Sequence, residues 1–146
     1  MPFEKLMKYS EYFGMEAPFP DHLDVRCDPG QNGEFGMILD IQPMHTNAGK
    51  VLHGGMLMSM FDIAMGTMCR IQDPLGRSVV TVEMKVSFMR PGGRAGDRIR
   101  ALGIVRHAAR SLVFCDGELR GEAGILLATA SGIFKYINNT AVPGAA

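Results

Sequence analysis

Between Gly54 and Cys69 the chain reads GGMLMSMFDIAMGTMC, and Asp62 is the only charged position in that run. A helix apolar on all sides belongs in a core. With Gly and Asp inside it, the run is too short to cross a bilayer. Methionines at 56, 58, 60, 65 and 68 favour helix over strand and adapt to irregular gaps. Elsewhere the dominant period is two. Residues 34–41 set Phe35, Met37, Leu39 and Ile41 against Glu34, Gly36, Ile38 and Asp40, the pattern of a half-buried strand. Residues 78–89 set Val80, Val82, Met84, Val86 and Phe88 on one face and Thr81, Glu83, Lys85 and Ser87 on the other. Further strands are predicted at 22–27, 97–106, 111–120 and 124–137. The last opens almost unbroken apolar from Ile125 to Ala130, which predicts a central strand covered on both faces.

Residues 2–13 carry Phe3, Leu6, Met7, Ser10 and Phe13 at helical spacing, with Pro2 suited to a first turn and Gly14 to a stop. Pro18 and Pro20 predict an extended stretch after it. Turn signals stand at Asp28-Pro29-Gly30, Asp73-Pro74-Leu75-Gly76 and Pro91-Gly92-Gly93. The pattern is therefore α+β: one long apolar helix inserted early into a run of about six strands. The connections are short enough for antiparallel neighbours. One sheet beside so apolar a helix must wrap it. The chain of 146 residues suits a single domain spanning 1–146, with 1–20 as N-terminal helix and linker and 138–146 as a frayed tail.

Charge adds one local feature. Acidic and basic residues balance at 15 each, yet 90–110 holds six arginines (90, 94, 98, 100, 106, 110) against Asp97 alone, a surplus of five. Nothing in the balance calls for nucleic acid, while arginine to the exclusion of lysine suits phosphate recognition. A solvated hairpin edge would look the same. Cys27, Cys69 and Cys115 form neither a C-x-x-C pair nor a metal spacing, so they read as reduced core residues. With no signal peptide or membrane span in the pattern, a cytoplasmic protein is expected.

The chemistry concentrates where the loop His45–Leu52 meets the apolar helix. Gly54 and Gly55 leave backbone N–H groups at the helix start uncovered, a setting for developing negative charge. Asp62, two turns on, is costly to bury unless paired. The same features suit a packing helix whose Asp bonds a neighbouring strand or subunit. Asn47, His53-Gly54-Gly55 six residues later, and Asp62 nine beyond the His make a constellation that resembles the hot-dog-fold acyl-CoA thioesterases of the phenylacetic-acid-pathway type. The resemblance runs over roughly 35–137. It departs in one place: the family's Gly three residues after the Asn is Lys50 here, with Gly49 one position earlier.

The resemblance implies an enzyme that hydrolyses aryl- or medium-chain acyl-CoA to free acid and CoA. Asp62 would be general base or nucleophile, and the Gly54 N–H and Asn47 amide would polarise the thioester carbonyl. It implies that Thr81 helps hold the water, although Thr81 alternates onto the polar face of its strand. His53 belongs to the catalytic signature, but its place before a helix suits fixing the turn. For coenzyme A, with its diphosphate and 3′-phosphate, the implied contacts are Arg90, Pro91 and Gly92 and the turn Arg106, His107, Arg110 and Ser111. Gly55, with Met58 and Met65 at one turn either side of Asp62, would line the acyl pocket. No cofactor beyond the CoA of the substrate and no metal are expected. The expected partners are the acyl-CoA substrate and a second copy, as a homodimer or homotetramer with shared sites, but neither nucleic acid nor membrane. The alternative is a non-catalytic acyl-CoA binding or sensing protein on the same fold.

Overall fold

The computed structural model of the protein describes residues 6–138. Its centre is the helix α3, Gly54–Ile71, whose Leu57, Met60, Phe61, Ala64, Met65 and Cys69 are buried. Around it bends one antiparallel sheet of seven strands: β1 (Met7–Lys8), β2 (Arg26–Asp28), β3 (Gly36–Asp40), β4 (Ser78–Phe88), β5 (Arg98–Ala108), β6 (Leu112–Arg120) and β7 (Leu126–Ile137). The strand order is β1-β2-β3-β5-β6-β7-β4. The sheet can close on the helix because two paired positions, Gly103 of β5 and Gly117 of β6, carry no side chain beneath it. A Cβ on Gly103 would stand 2.9 Å from the Ala64 carbonyl oxygen, and one on Gly117 would stand 2.7 Å from the Phe61 ring. Backbone meets side chain there at packing distance, which fixes both the helix height and the curvature of the sheet.

Six of the seven strands fall where the period of two places them; the seventh, β1, pairs only two residues with β2. Four readings are corrected. The N-terminal helix is shorter than its pattern: α1 spans Tyr9–Phe13 and is preceded by strand, with Pro2 and Phe3 outside the described residues. Pro18 and Pro20 do not hold an extended stretch but open a second short helix, α2 (Pro18–His22), with Pro18 in its first turn. First-turn donors are unpaired in any helix, so proline is tolerated there. The strand expected from His22 begins at Arg26, because Asp24 takes a left-handed φ of 61° as the chain leaves α2. Finally, β7 lies between β6 and β4 as a central strand should, but it alternates from Thr129 onward, with Ser131 and Lys135 exposed. The tail expected to fray lies, from residue 139, outside the described residues.

Candidate active site

The loop into α3 is a small hairpin. Thr46 and Leu52 form a bridge, the Asn47 N–H donates to the Val51 carbonyl (2.8 Å) and the Lys50 N–H to the Asn47 carbonyl (2.9 Å). The Asn47 Oδ1 accepts from the Val51 N–H at 3.2 Å, which leaves the side-chain NH2 pointing to solvent as a donor. Lys50 sits at φ 61°. The left-handed residue thus falls at the position where the family has Gly, and the departure in sequence leaves the turn in place. His45 is buried: its Nδ1 accepts from the Gln42 N–H (2.9 Å), and Nε2 bonds the Leu23 carbonyl (2.8 Å). Its own carbonyl accepts the His53 N–H.

His53 caps α3. Its Nδ1 accepts from the Gly55 N–H at 2.8 Å, which satisfies one of the orphan donors of the first turn. The Gly54 N–H has no partner among the described residues and stays available at the positive end of the helix. The Phe88 ring stands over it, 3.7 Å from where a Gly54 Cβ would be.

Asp62 is half-buried, and its Oδ1 accepts from the Thr81 hydroxyl at 2.5 Å. That contact contradicts simple alternation along β4, and the reason is a bulge. Thr81 pairs with Phe134 but Glu83 with Ile133, so Val82 is an extra residue. Before the bulge Val79 and Thr81 face the helix; after it Met84 and Val86 do. Val80 and Val82, predicted to face the core, are 45% and 56% exposed on the edge strand. A bulge that re-aims one side chain is a frequent device beside functional groups.

The two methionines expected at the acyl pocket part company. Met65 is fully buried, its sulfur 2.9 Å from a Cβ built on Gly117. Residue i+3 is turned about 60° from Asp62 toward the sheet, whereas i+4 is turned only about 40° the other way. Met58 is exposed beside Asp62. The cavity that reaches Asp62 and Thr81, about 320 Å³, runs instead toward the C-terminal end of α3, past Ile63, Gly66 and Val79 to Thr67 and Arg70.

The two basic segments are separated. Arg90–Gly93 lies beside the start of α3, where the Gly93 carbonyl accepts the Leu52 N–H (2.7 Å) and Gly92 packs on Leu52. The turn 106–112 lies at the opposite end of the sheet, with the Arg110 carbonyl held by Arg77 and the Ser111 carbonyl by the Tyr136 N–H. The length of β4, roughly 33 Å, separates the two ends. Arg106 is occupied by Asp116 at 2.7 Å and His107 lies near the Phe114 ring. The Arg90 and Arg110 side chains are exposed and make no ion pair among the described residues. Cys27, Cys69 and Cys115 are free and buried, and burial pushes the Cys27 thiol up to about 12. Among the described residues no cluster of His, Cys, Asp or Glu could hold a metal, and no helix is long and apolar enough to cross a membrane.

The sequence profile of the thioesterase superfamily matches residues 49–128, from the loop before α3 to the start of β7. The chain belongs to that superfamily. Over 147 aligned residues it is 24% identical to the medium/long-chain acyl-CoA thioesterase YigI of Salmonella typhimurium, covering 90% of this chain and 93% of the relative. Among solved structures, a Bacillus halodurans protein crystallised with CoA superposes with TM-score 0.79 at 24% identity, over 88% of this chain and 84% of that one. The Escherichia coli PaaI protein of the phenylacetic acid degradation operon gives 0.77 at 23%, over 88% and 91%. The fold is the hot-dog fold, and the protein is a thioester hydrolase. The pattern had not pointed to the lining that this thioesterase places beyond Asp62. Tyr9, Thr67 and Arg70 come together there only because α1 and α2 fold back over the helix. The one signal available in advance was the spacing of Asp62, Gly66 and Arg70 at successive turns.

Proposed function

We propose that the protein hydrolyses acyl-CoA thioesters, with Asp62 as general base at a site completed by a second copy of the chain. The observation that carries this reading is the Thr81 hydroxyl bound to the Asp62 carboxylate at the mouth of a largely apolar cavity. A carboxylate oriented through Oδ1 presents Oδ2 to a water. Asp62 takes a proton from that water as its oxygen bonds to the thioester carbon. The carbonyl electron pair moves to oxygen, where the Gly54 N–H and the Asn47 amide receive it. Collapse breaks the C–S bond, and the proton held by Asp62 passes to the departing CoA thiolate, giving free acid and CoA.

Within one chain these groups cannot serve one carbonyl. Gly54 and Asp62 are eight residues apart on a straight helix, about 12 Å along its axis, whereas reacting atoms need to be within about 3.5 Å. A two-fold partner placing its Gly54 and Asn47 opposite Asp62 removes the conflict. It also brings the partner's Arg90–Gly93 segment toward the Arg110 turn of the first chain, so that both could reach one CoA. His53 acts on geometry alone, holding the Gly55 N–H and leaving that of Gly54 free.

The test is release of CoA thiol from a panel of aryl, short- and medium-chain acyl-CoAs. Asp62→Asn is expected to lower kcat by about 10²–10⁴ while acyl-CoA still binds. Wild-type kcat in that variant would sink the assignment of the base.

A further inference from the structure

The cavity beyond Asp62 has an unusual far end. Asp62, Gly66 and Arg70 follow one another at i, i+4 and i+8, so they share a face of α3 and drift only about 40° per step. They span about 12 Å along the axis. Gly66 leaves the floor of the slot open: a Cβ there would be 3.5 Å from the Phe134 ring and 3.8 Å from Val79, ordinary contact distances. Ile63, Val79 and Phe134 make apolar walls, and Ala17 and Pro20 from the N-terminal helices form part of the roof.

At the end stands a guanidinium. Arg70 Nη2 donates to the Tyr9 hydroxyl (3.0 Å), which is in turn bonded to the Thr67 hydroxyl (2.9 Å). Arg70 Nη1 reaches only the Met15 sulfur at 3.1 Å, a weak acceptor. The Phe13 ring lies under the guanidinium, 4.6 Å from its centroid, and helps hold it. Glu16 lines the same cavity but makes no ion pair with it. Of the half-buried arginines among the described residues, Arg26, Arg77, Arg100 and Arg120 each hold a carboxylate. Arg70 does not. A partly desolvated guanidinium with donors to spare, aimed into a cavity, is a receptor for an acceptor that the chain itself does not supply.

We infer that Arg70 reads a carboxylate at the distal end of the acyl group, so that the preferred substrates are acyl-CoAs whose chain ends in a second carboxyl. This rests on the acyl-CoA reading above and names the substrate class within it. A carboxylate accepts two parallel N–H bonds from a guanidinium, and the Tyr9–Thr67 pair keeps the fork in place. Length agrees. Carbon–carbon bonds of about 1.5 Å advance an extended chain by roughly 1.25 Å each. An axial span of about 12 Å then corresponds to between nine and ten bonds, or roughly eight or nine carbons between the scissile carbonyl and the distal carboxyl.

Non-hydrolysable CoA thioethers with a chain of about eight carbons, one ending in methyl and the other in carboxylate, read the pocket without turnover. Calorimetry on the wild-type protein is expected to show the carboxylate-ended ligand bound about tenfold more tightly. In Arg70→Gln, with folding checked by its melting curve, that ratio should fall to about one. Equal affinities in the wild type, or an undiminished ratio in Arg70→Gln, would overturn the proposal. The wild-type comparison decides it even where the variant does not fold. Hydrolysis of the matching thioesters is scored separately. A carboxylate preference without turnover leaves this inference standing and fells the hydrolase reading, whereas turnover without preference does the reverse.

Discussion

If Asp62 and its oxyanion donors belong to different chains, two dead variants should revive each other. The first is Asp62→Asn, which removes the base. The second is Asn47→Asp, which keeps the Oδ1 acceptor for the Val51 N–H and so the turn, but replaces the amide donor with a charge that repels the oxyanion. Loss of one oxyanion donor is worth about 2.7–4 kcal/mol, a factor of 10²–10³ in kcat. Each homodimer has every site broken. In a heterodimer one site combines the intact Asp62 of one chain with the intact Asn47 of the other, while its twin carries both lesions. Random reassociation of equal amounts makes half the dimers mixed, so about a quarter of the wild-type sites return. The assay is CoA release from the mixture after dissociation and refolding, with subunit exchange followed by pull-down of differently tagged chains. Thr81 hydrogen-bonds Asp62 in its own chain. A Thr81→Val variant should therefore complement Asn47→Asp but not Asp62→Asn. A mixture that exchanges subunits yet is no more active than the mean of its parents would place the whole site in one chain and refute the 12 Å argument.

Two further outcomes concern stability. Lys50 holds φ 61°, which costs an L-residue roughly 1–2 kcal/mol. Glycine removes that cost but adds entropy to the unfolded chain, so Lys50→Gly should raise stability by about 0.5–1 kcal/mol; a lower melting temperature would refute it. At the end of α3 the Asp73 carboxylate takes the Arg77 N–H (2.7 Å) and its guanidinium (3.0 and 3.1 Å), and these bonds hold it down to about 2. Because the folded value lies below the unfolded one, about 3.9, the stabilisation is whole above pH 4 and is lost as pH falls toward 2. Urea unfolding should show a gap between wild type and Asp73→Asn that is flat from pH 5 to 7 and narrows between 4 and 2. A gap unchanged at pH 2 would refute it.

The fold was legible because its two periods are strong. The run at 54–69 admits only a core helix, and the strand patterns account for six of the seven strands. The errors cluster where few residues decide. Tyr9–Phe13 and Pro18–His22 are short helices whose existence depends on packing: Tyr9 is buried against α3, where its hydroxyl bonds Thr67, and Phe13 meets Phe35 edge-on. Alternation cannot see a bulge, because Val82 is as good a strand residue as its neighbours. One extra residue exchanged the faces of Thr81 and Val82, which turned a hydroxyl expected in solvent onto Asp62.

The site divides along the same line. Asn47, His53, Gly54 and Asp62 could be read together because their chemistry is carried by short spacings, and a helix start or a turn fixes geometry over that range. The cavity beyond Asp62 could not, since its end is made by Tyr9 meeting Thr67 and Arg70 across 58 and 61 residues. The methionine argument divides for a related reason, with Met58 exposed beside Asp62 and Met65 buried. It treated i−4 and i+3 as equivalent neighbours of Asp62, but the side of the helix that faces the sheet is set by Gly103 and Gly117, on strands far along the chain. Once those glycines seat α3, Met65 enters the sheet at Gly117 and Gly66 turns toward Val79 and Phe134. The position that opens beside Asp62 then has no side chain at all, and the room in the proposed slot comes from an absence that no count of apolar residues registers.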